Sequence, residues 1–126
     1  MDITEIYDIE VYPNLLLIVF KNLDSGEIRK FKQTKNKSDF DKFKKFISQK
    51  DLVLVGFNNY KYDDLIIKYI LANDCNFTNQ DIYNLSQALI DKKVMPGFKA
   101  KWNEFNLIPF TKTFQSVDLH KFHSDK

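Results

Sequence analysis

"LVLVGFNNYKYDDLIIKYI", residues 52–70, opens as a strand and closes as a helix. Leu52 to Phe57 form a short, continuous apolar run, the pattern of a strand buried within a sheet. Asp63 and Asp64 then open a helix, where acids complement the positive end of the helix dipole, and the apolar stripe that follows is Ile66, Ile67, Ile70 and Leu71. The segment before the strand, "SDFDKFKKFISQK", is also helical. Ser38 is its expected cap, and Phe40, Phe43, Phe46 and Ile47 recur at helical spacing with the lysines between them facing water. A strand reached through a helix is expected to lie parallel to the first strand of the chain.

Working outward, Glu5 to Val11 reads as the first strand and Tyr12 to Asn14 as a turn. "LLLIVFKNL" is so nearly all apolar that it predicts a strand buried on both faces. Asp24 to Gly26 turn the chain again. "EIRKFKQ" then alternates apolar and polar residues, so the first three strands make an antiparallel meander. Downstream, "NQDIYNLSQALIDKK" predicts a helix with Ile82, Leu85, Leu89 and Ile90 inward. Val94 to Phe114 show no clear period, and "QSVDLHKF" reads as a last short strand. No internal repeat or low-complexity linker interrupts the series. Three strands, helix, strand, helices and strand predict an α/β layer fold with a mixed sheet, in one domain over residues 1–126.

The bulk properties narrow the function classes. A chain of 126 residues buries enough surface to fold around one core without metals or disulfides. Hydrophobic content of 44% and aromatic content of 15% exclude a disordered chain. The single cysteine, Cys75, excludes a disulfide framework and a cysteine-built zinc site, and fits a reducing compartment, with the cytoplasm expected. No apolar run is long enough to span a bilayer, and the N-terminus is acidic where a signal peptide is basic. Neither export nor membrane insertion is expected. A net charge of +2 is too small to argue nucleic-acid binding by itself.

Within "YDIEVY", residues 7–12, the period of two puts Asp8 and Glu10 on one face of the strand and Tyr7, Ile9 and Val11 on the other. Two readings follow: an edge strand whose wet face solvates both acids, or a pair of carboxylates with a divalent cation between them. "GFNNYKYDD" starts at the carboxyl end of a buried strand, the edge where open α/β sheets place their sites. Asp8, Glu10 and Asp63 are expected to converge there, as hard oxygen ligands suited to Mg²⁺ or Mn²⁺. The plainer role for Asp63 is a helix-opening acid, which Asp64 fills equally well.

Together these motifs resemble the DnaQ-like, or DEDD, 3′-to-5′ exonucleases of the ribonuclease H-like fold, especially the proofreading domains of phage B-family DNA polymerases. Asp8-Ile9-Glu10 matches the family's first motif, and "NNYKYD" is similar to its second, with either Asn58 or Asn59 as the motif asparagine. The resemblance spans most of the chain, with residues 74–114 matched loosely. It implies that Asp8, Glu10 and Asp63 are catalytic ligands of two metal ions about 3.5 to 4 Å apart, acting on a phosphodiester. It implies a single-stranded DNA 3′ end as substrate, contacted by Asn58 or Asn59 and by Tyr62. Asp118 is expected to be structural, and His120 and His123 to lie at the surface. The family's third motif, a Tyr or His shortly before a last metal-binding Asp, is not matched by "HSDK". The chain is therefore expected to be C-terminally incomplete, weak or inactive alone, and completed by a polymerase domain or a C-terminal fragment.

"GFKAKWNEFNLIPFTKTF" interleaves Lys99, Lys101 and Lys112 with aromatic residues, a pattern used for single strands. Most of these aromatics are expected to fill core, with Trp102 the first candidate for stacking on a base. Two rivals to the enzyme remain: a catalytically inactive nucleic-acid-binding module that keeps the fold, and a small protein-interaction module whose acids meet a basic partner.

Overall fold

The computed structural model describes residues 2–91 and 114–119. Five strands and three α-helices follow in the order β1 (Ile3–Tyr12), β2 (Leu15–Asn22), β3 (Ile28–Gln33), α1 (Phe40–Ile47), β4 (Leu52–Gly56), α2 (Asp63–Ala72), α3 (Asn79–Ile90) and β5 (Gln115–Asp118). A 3₁₀ turn, Asn59–Lys61, joins β4 to α2. The strands form one mixed sheet in the order β3-β2-β1-β4-β5. β1, β2 and β3 are the antiparallel meander that the alternation predicts, while β4 pairs parallel with β1 and β5 parallel with β4. Only β2 runs against the others.

β1 is the central strand, but its pairing with β4 covers Ile3–Ile6 alone, so among the described residues Asp8 and Glu10 lie beyond it with β2 as their strand neighbour, and both are exposed. One correction concerns β2, which is not buried on both faces. Leu16, Ile18 and Phe20 are buried, whereas Leu15, Leu17 and Val19 on the opposite face are half-buried. All-apolar composition does not reveal that only one face carries the helix contacts.

The covered face is that of Tyr7, Phe20 and Gln33. Phe20 stacks on Tyr7 with centroids 5.7 Å apart and also meets Phe31, Phe43 and Phe46. Phe40, Phe43, Phe46 and Ile47 are buried as their spacing predicts. The helix they belong to begins at Phe40 with Asp39 in the cap position, one residue later than expected. Ser38 instead accepts the Phe40 N–H at 3.2 Å and donates its hydroxyl to Gln33 Oε1 at 2.9 Å. α3 is closed at its start by a reciprocal pair, in which Thr78 Oγ1 accepts the Asp81 N–H at 3.0 Å and Asp81 Oδ2 accepts the Thr78 N–H at 2.9 Å. Ile82, Leu85 and Leu89 are buried, but Ile90 is 61% exposed. One position on from Leu89 turns a helical side chain by about 100°, off the stripe.

Among the described residues, no helix is long and apolar enough to cross a membrane. Trp102, His120 and His123 lie outside the described residues.

Candidate functional site

Three parallel strands, β1, β4 and β5, end at one edge of the sheet. β4 stops at Gly56 and the chain folds back through Asn58, whose φ of 60° is left-handed, into the 3₁₀ turn and α2. Asp118, at the end of the neighbouring β5, fastens this turn. Its carboxylate accepts the Asn58 N–H at 2.7 Å and the Tyr60 N–H at 3.1 Å. Gly56 is needed for a different reason: a Cβ there would lie 2.8 Å from Asn59 Cγ, so the Asn59 carboxamide occupies the space of a side chain at position 56. Asn59 is fully buried.

The adjacent acids that open α2 have separate environments. Asp64 is an acceptor hub: Tyr7 donates its hydroxyl to Oδ1, Asn59 Nδ2 donates to the same oxygen at 3.2 Å, and Ser116 Oγ donates to Oδ2 at 2.5 Å. These bonds tie β1, the 3₁₀ turn, α2 and β5 to one carboxylate. Burial, reinforced by the Asp64 charge, holds the Tyr7 hydroxyl protonated well above its ordinary range, which keeps it a donor. Asp64 therefore has a structural post, and so does Asn59, whose amide also donates to Ser116 Oγ at 2.9 Å.

Among the described residues, Asp63 has no such set of donors around it. Its side chain is buried, at 7% exposure. Burial first, then the charges of Asp8, Asp64 and Asp118, push its carboxyl up to about 7. A buried acid whose charged neighbours are three more acids is in a field that a cation relieves. Asp8 and Glu10 stand on the opposite face of β1 from Tyr7 and are exposed, about 7 Å apart along the strand. Asp8 acts electrostatically on Asp63, and Glu10 is not among the charges that do. Tyr62 is half-buried, with its hydroxyl 2.6 Å from Ser86 Oγ on α3. Burial pushes the pKa of this hydroxyl up, partly offset by the Ser86 hydrogen bond, and the Asp63 and Asp8 charges add to the rise. Asn58, unlike Asn59, is exposed.

The expected residues are thus brought together in part. Asp8 and Asp63 share a field at the carboxyl edge, Tyr62 and Asn58 flank it, and Glu10 lies one step further along β1. Among the described residues, no group of three or more His, Cys, Asp or Glu side chains is gathered tightly enough to hold a metal ion. The donor set still suits Mg²⁺, which keeps most of its waters and takes one or two carboxylates plus substrate phosphates in place of an all-protein cage. Reading the sequence alone missed Tyr7 and Ser116 as the partners that separate Asp64 from Asp63. The available signal was a tyrosine on the apolar face of a central strand, whose hydroxyl requires a buried acceptor. Set beside protein-family models, curated proteins and solved structures, the chain matches none of them, so the functional reading rests on its own sequence and geometry.

Proposed function

We propose that the chain is a metal-dependent 3′-to-5′ exonuclease domain of the DnaQ-like kind, built on a ribonuclease H-like sheet and acting on single-stranded DNA ends. The observation that carries the reading is the buried Asp63 carboxyl, which shares the field of Asp8 and Asp118 at the carboxyl ends of three parallel strands. The strand order, with β2 alone reversed, supports the fold assignment. Asp8 and Asp63 would hold Mg²⁺ or Mn²⁺, with Glu10 completing the set. Such an ion, when bound, polarises a phosphodiester and lowers the pKa of its water. The protein's own contribution is to hold these carboxylates on a central strand and at a helix start fixed by Asp64. Asn58 and Tyr62 stand beside them to contact the strand end.

A second reading is an inactive nucleic-acid-binding or protein-interaction module. It is favoured by the lack of a three-acid cluster among the described residues. One assay separates the two. A 5′-labelled single-stranded oligonucleotide, incubated with the protein and Mn²⁺, is expected to give a ladder shortened from the 3′ end. The ladder should vanish with chelator and slow at least about 100-fold in Asp8→Asn, the scale of losing a group that acts on the reacting atoms. No ladder, or one indifferent to Asp8→Asn, rejects the exonuclease.

A further inference from the structure

"IRKFKQTKNK", residues 28–37, carries five basic residues and no acid. Lys35 and Lys37, at its end, line a cleft of about 650 Å³ bounded by the β1–β2 turn, the loop from β3 to α1 and the start of α3. Asn14, Asn36 and Phe77 also line it, and among the described residues no acid does. The floor is fixed in place. Gln33 Nε2 donates to the Phe77 carbonyl at 2.9 Å and to Asn79 Oδ1 at 3.0 Å, while Asn79 Nδ2 donates back to the Gln33 carbonyl at 3.1 Å. The loop above it closes through the Thr34 N–H on the Lys37 carbonyl at 2.8 Å. Phe77 is held edge-on to Phe40, centroids 5.1 Å apart. Lys35 and Lys37 are exposed and, among the described residues, form no ion pair.

We propose that this cleft binds the sugar-phosphate backbone of a single-stranded nucleic acid on its way to the acidic edge. A concavity with two ammonium groups that form no ion pair among the described residues, two exposed carboxamides and an aromatic ring offers charge for a phosphodiester and an apolar wall for its base. Its volume suits one or two nucleotides. Pro13 and Asn14 follow Glu10 by three to four residues, so the cleft begins roughly 10–13 Å beyond Glu10 along the direction of β1; its Gln33 floor is on the helix-covered face and Asp8 and Glu10 are on the other, so a nucleic-acid strand reaching from one to the other rounds the end of the sheet. The direction of travel rests on the exonuclease reading, but binding in the cleft does not.

The test is therefore made without metal. Binding of a labelled oligo-dT is followed by fluorescence anisotropy in chelator, with the full chain and with the Lys35→Ala/Lys37→Ala and Lys21→Ala/Lys50→Ala double variants. The second pair removes the same charge at the opposite end of the strands. The cleft variant is expected to bind about tenfold more weakly at low salt. Its dependence of log affinity on log salt should be shallower by about 1.4, two phosphates at about 0.7 each. The control pair should stay near wild type. Equal loss in both pairs, no binding by the wild type, or the same loss on a duplex as on the single strand would each overturn the proposal. Cleft-dependent binding together with a failed cleavage assay would leave the cleft standing and remove only the exonuclease.

Discussion

Asp63 and Asp64 are neighbours of one chemical type, and only their surroundings tell them apart. For Asp63 the carboxyl at about 7 lies above its ordinary value of 3.8. The folded protein thus keeps a proton that the unfolded chain releases between pH 4 and 7, and stability falls as pH rises through that window. Asp63→Asn should match wild type near pH 4 and exceed it at pH 8 by on the order of 2–4 kcal/mol, read from thermal or urea unfolding at the two pH values. A variant less stable than wild type at pH 8 would show that Asp63 is held by bonds of its own. Removing the Asp64 side chain should instead destabilise the fold. Asp64→Ala leaves the Tyr7 hydroxyl, the Asn59 amide and the Ser116 hydroxyl without their shared acceptor. It should cost about 3 kcal/mol or more, whereas Asp64→Asn, which retains one acceptor oxygen, should cost less. The doublets "NN" and "DD" were visible in the sequence as a choice, but not its outcome. Adjacent residues at a turn or helix start point in different directions, and which direction is inward depends on β1 and β5, remote in the chain.

The elements themselves were more legible. Strict helical spacing placed Phe40, Phe43, Phe46 and Ile47 inward, and the alternation of β1 placed Tyr7 and Ile9 against Asp8 and Glu10. These patterns are local, so the sequence carries them. The half-open state of β2 depends on which face the helices cover, and Ser38 sits one residue before the cap position, where its hydroxyl still accepts the Phe40 N–H while donating to Gln33. The strand-to-helix junction is the element on which the site depends most, and Gly56 tests it. In Gly56→Ala the new methyl meets the Asn59 side chain at 2.8 to 3.0 Å. Because Asn59 is buried and bonded to both Asp64 and Ser116, it cannot swing aside cheaply. The substitution should destabilise by about 1–3 kcal/mol, the usual scale of overpacking, and should slow cleavage as well by shifting the start of α2. Unchanged stability would mean that Asn59 has another place to go. Thr78→Ala, by contrast, removes the reciprocal cap of α3 and should cost about 1 kcal/mol in the same unfolding measurement.

At the scale of the molecule, among the described residues, acids gather where β1, β4 and β5 end, and lysines follow β3 into the loop before α1. If a divalent cation binds this edge as proposed, it relieves the repulsion among the acids, and its binding is visible as stability even before any turnover is measured. A ligand that binds only the folded chain stabilises it by RT ln(1 + [L]/Kd), about 1.4 kcal/mol at tenfold excess over Kd, which for a domain of this size is roughly 4–6 °C in Tm. At pH 8, where Asp63 is ionised, Mn²⁺ should raise Tm of the wild type by that amount. At pH 5 protons compete for Asp63 and the rise should shrink. Asp8→Asn should lose the response while being no less stable than wild type without metal, since it removes one of the charges that oppose the ionisation of Asp63. Glu10→Gln should weaken the response less, because Glu10 is not among the charges acting on Asp63. If Mn²⁺ raised Tm equally in the wild type and in Asp8→Asn, the cation would be bound elsewhere on the chain. The acidic edge would then be a solvated rim of the sheet, with no part in a reaction.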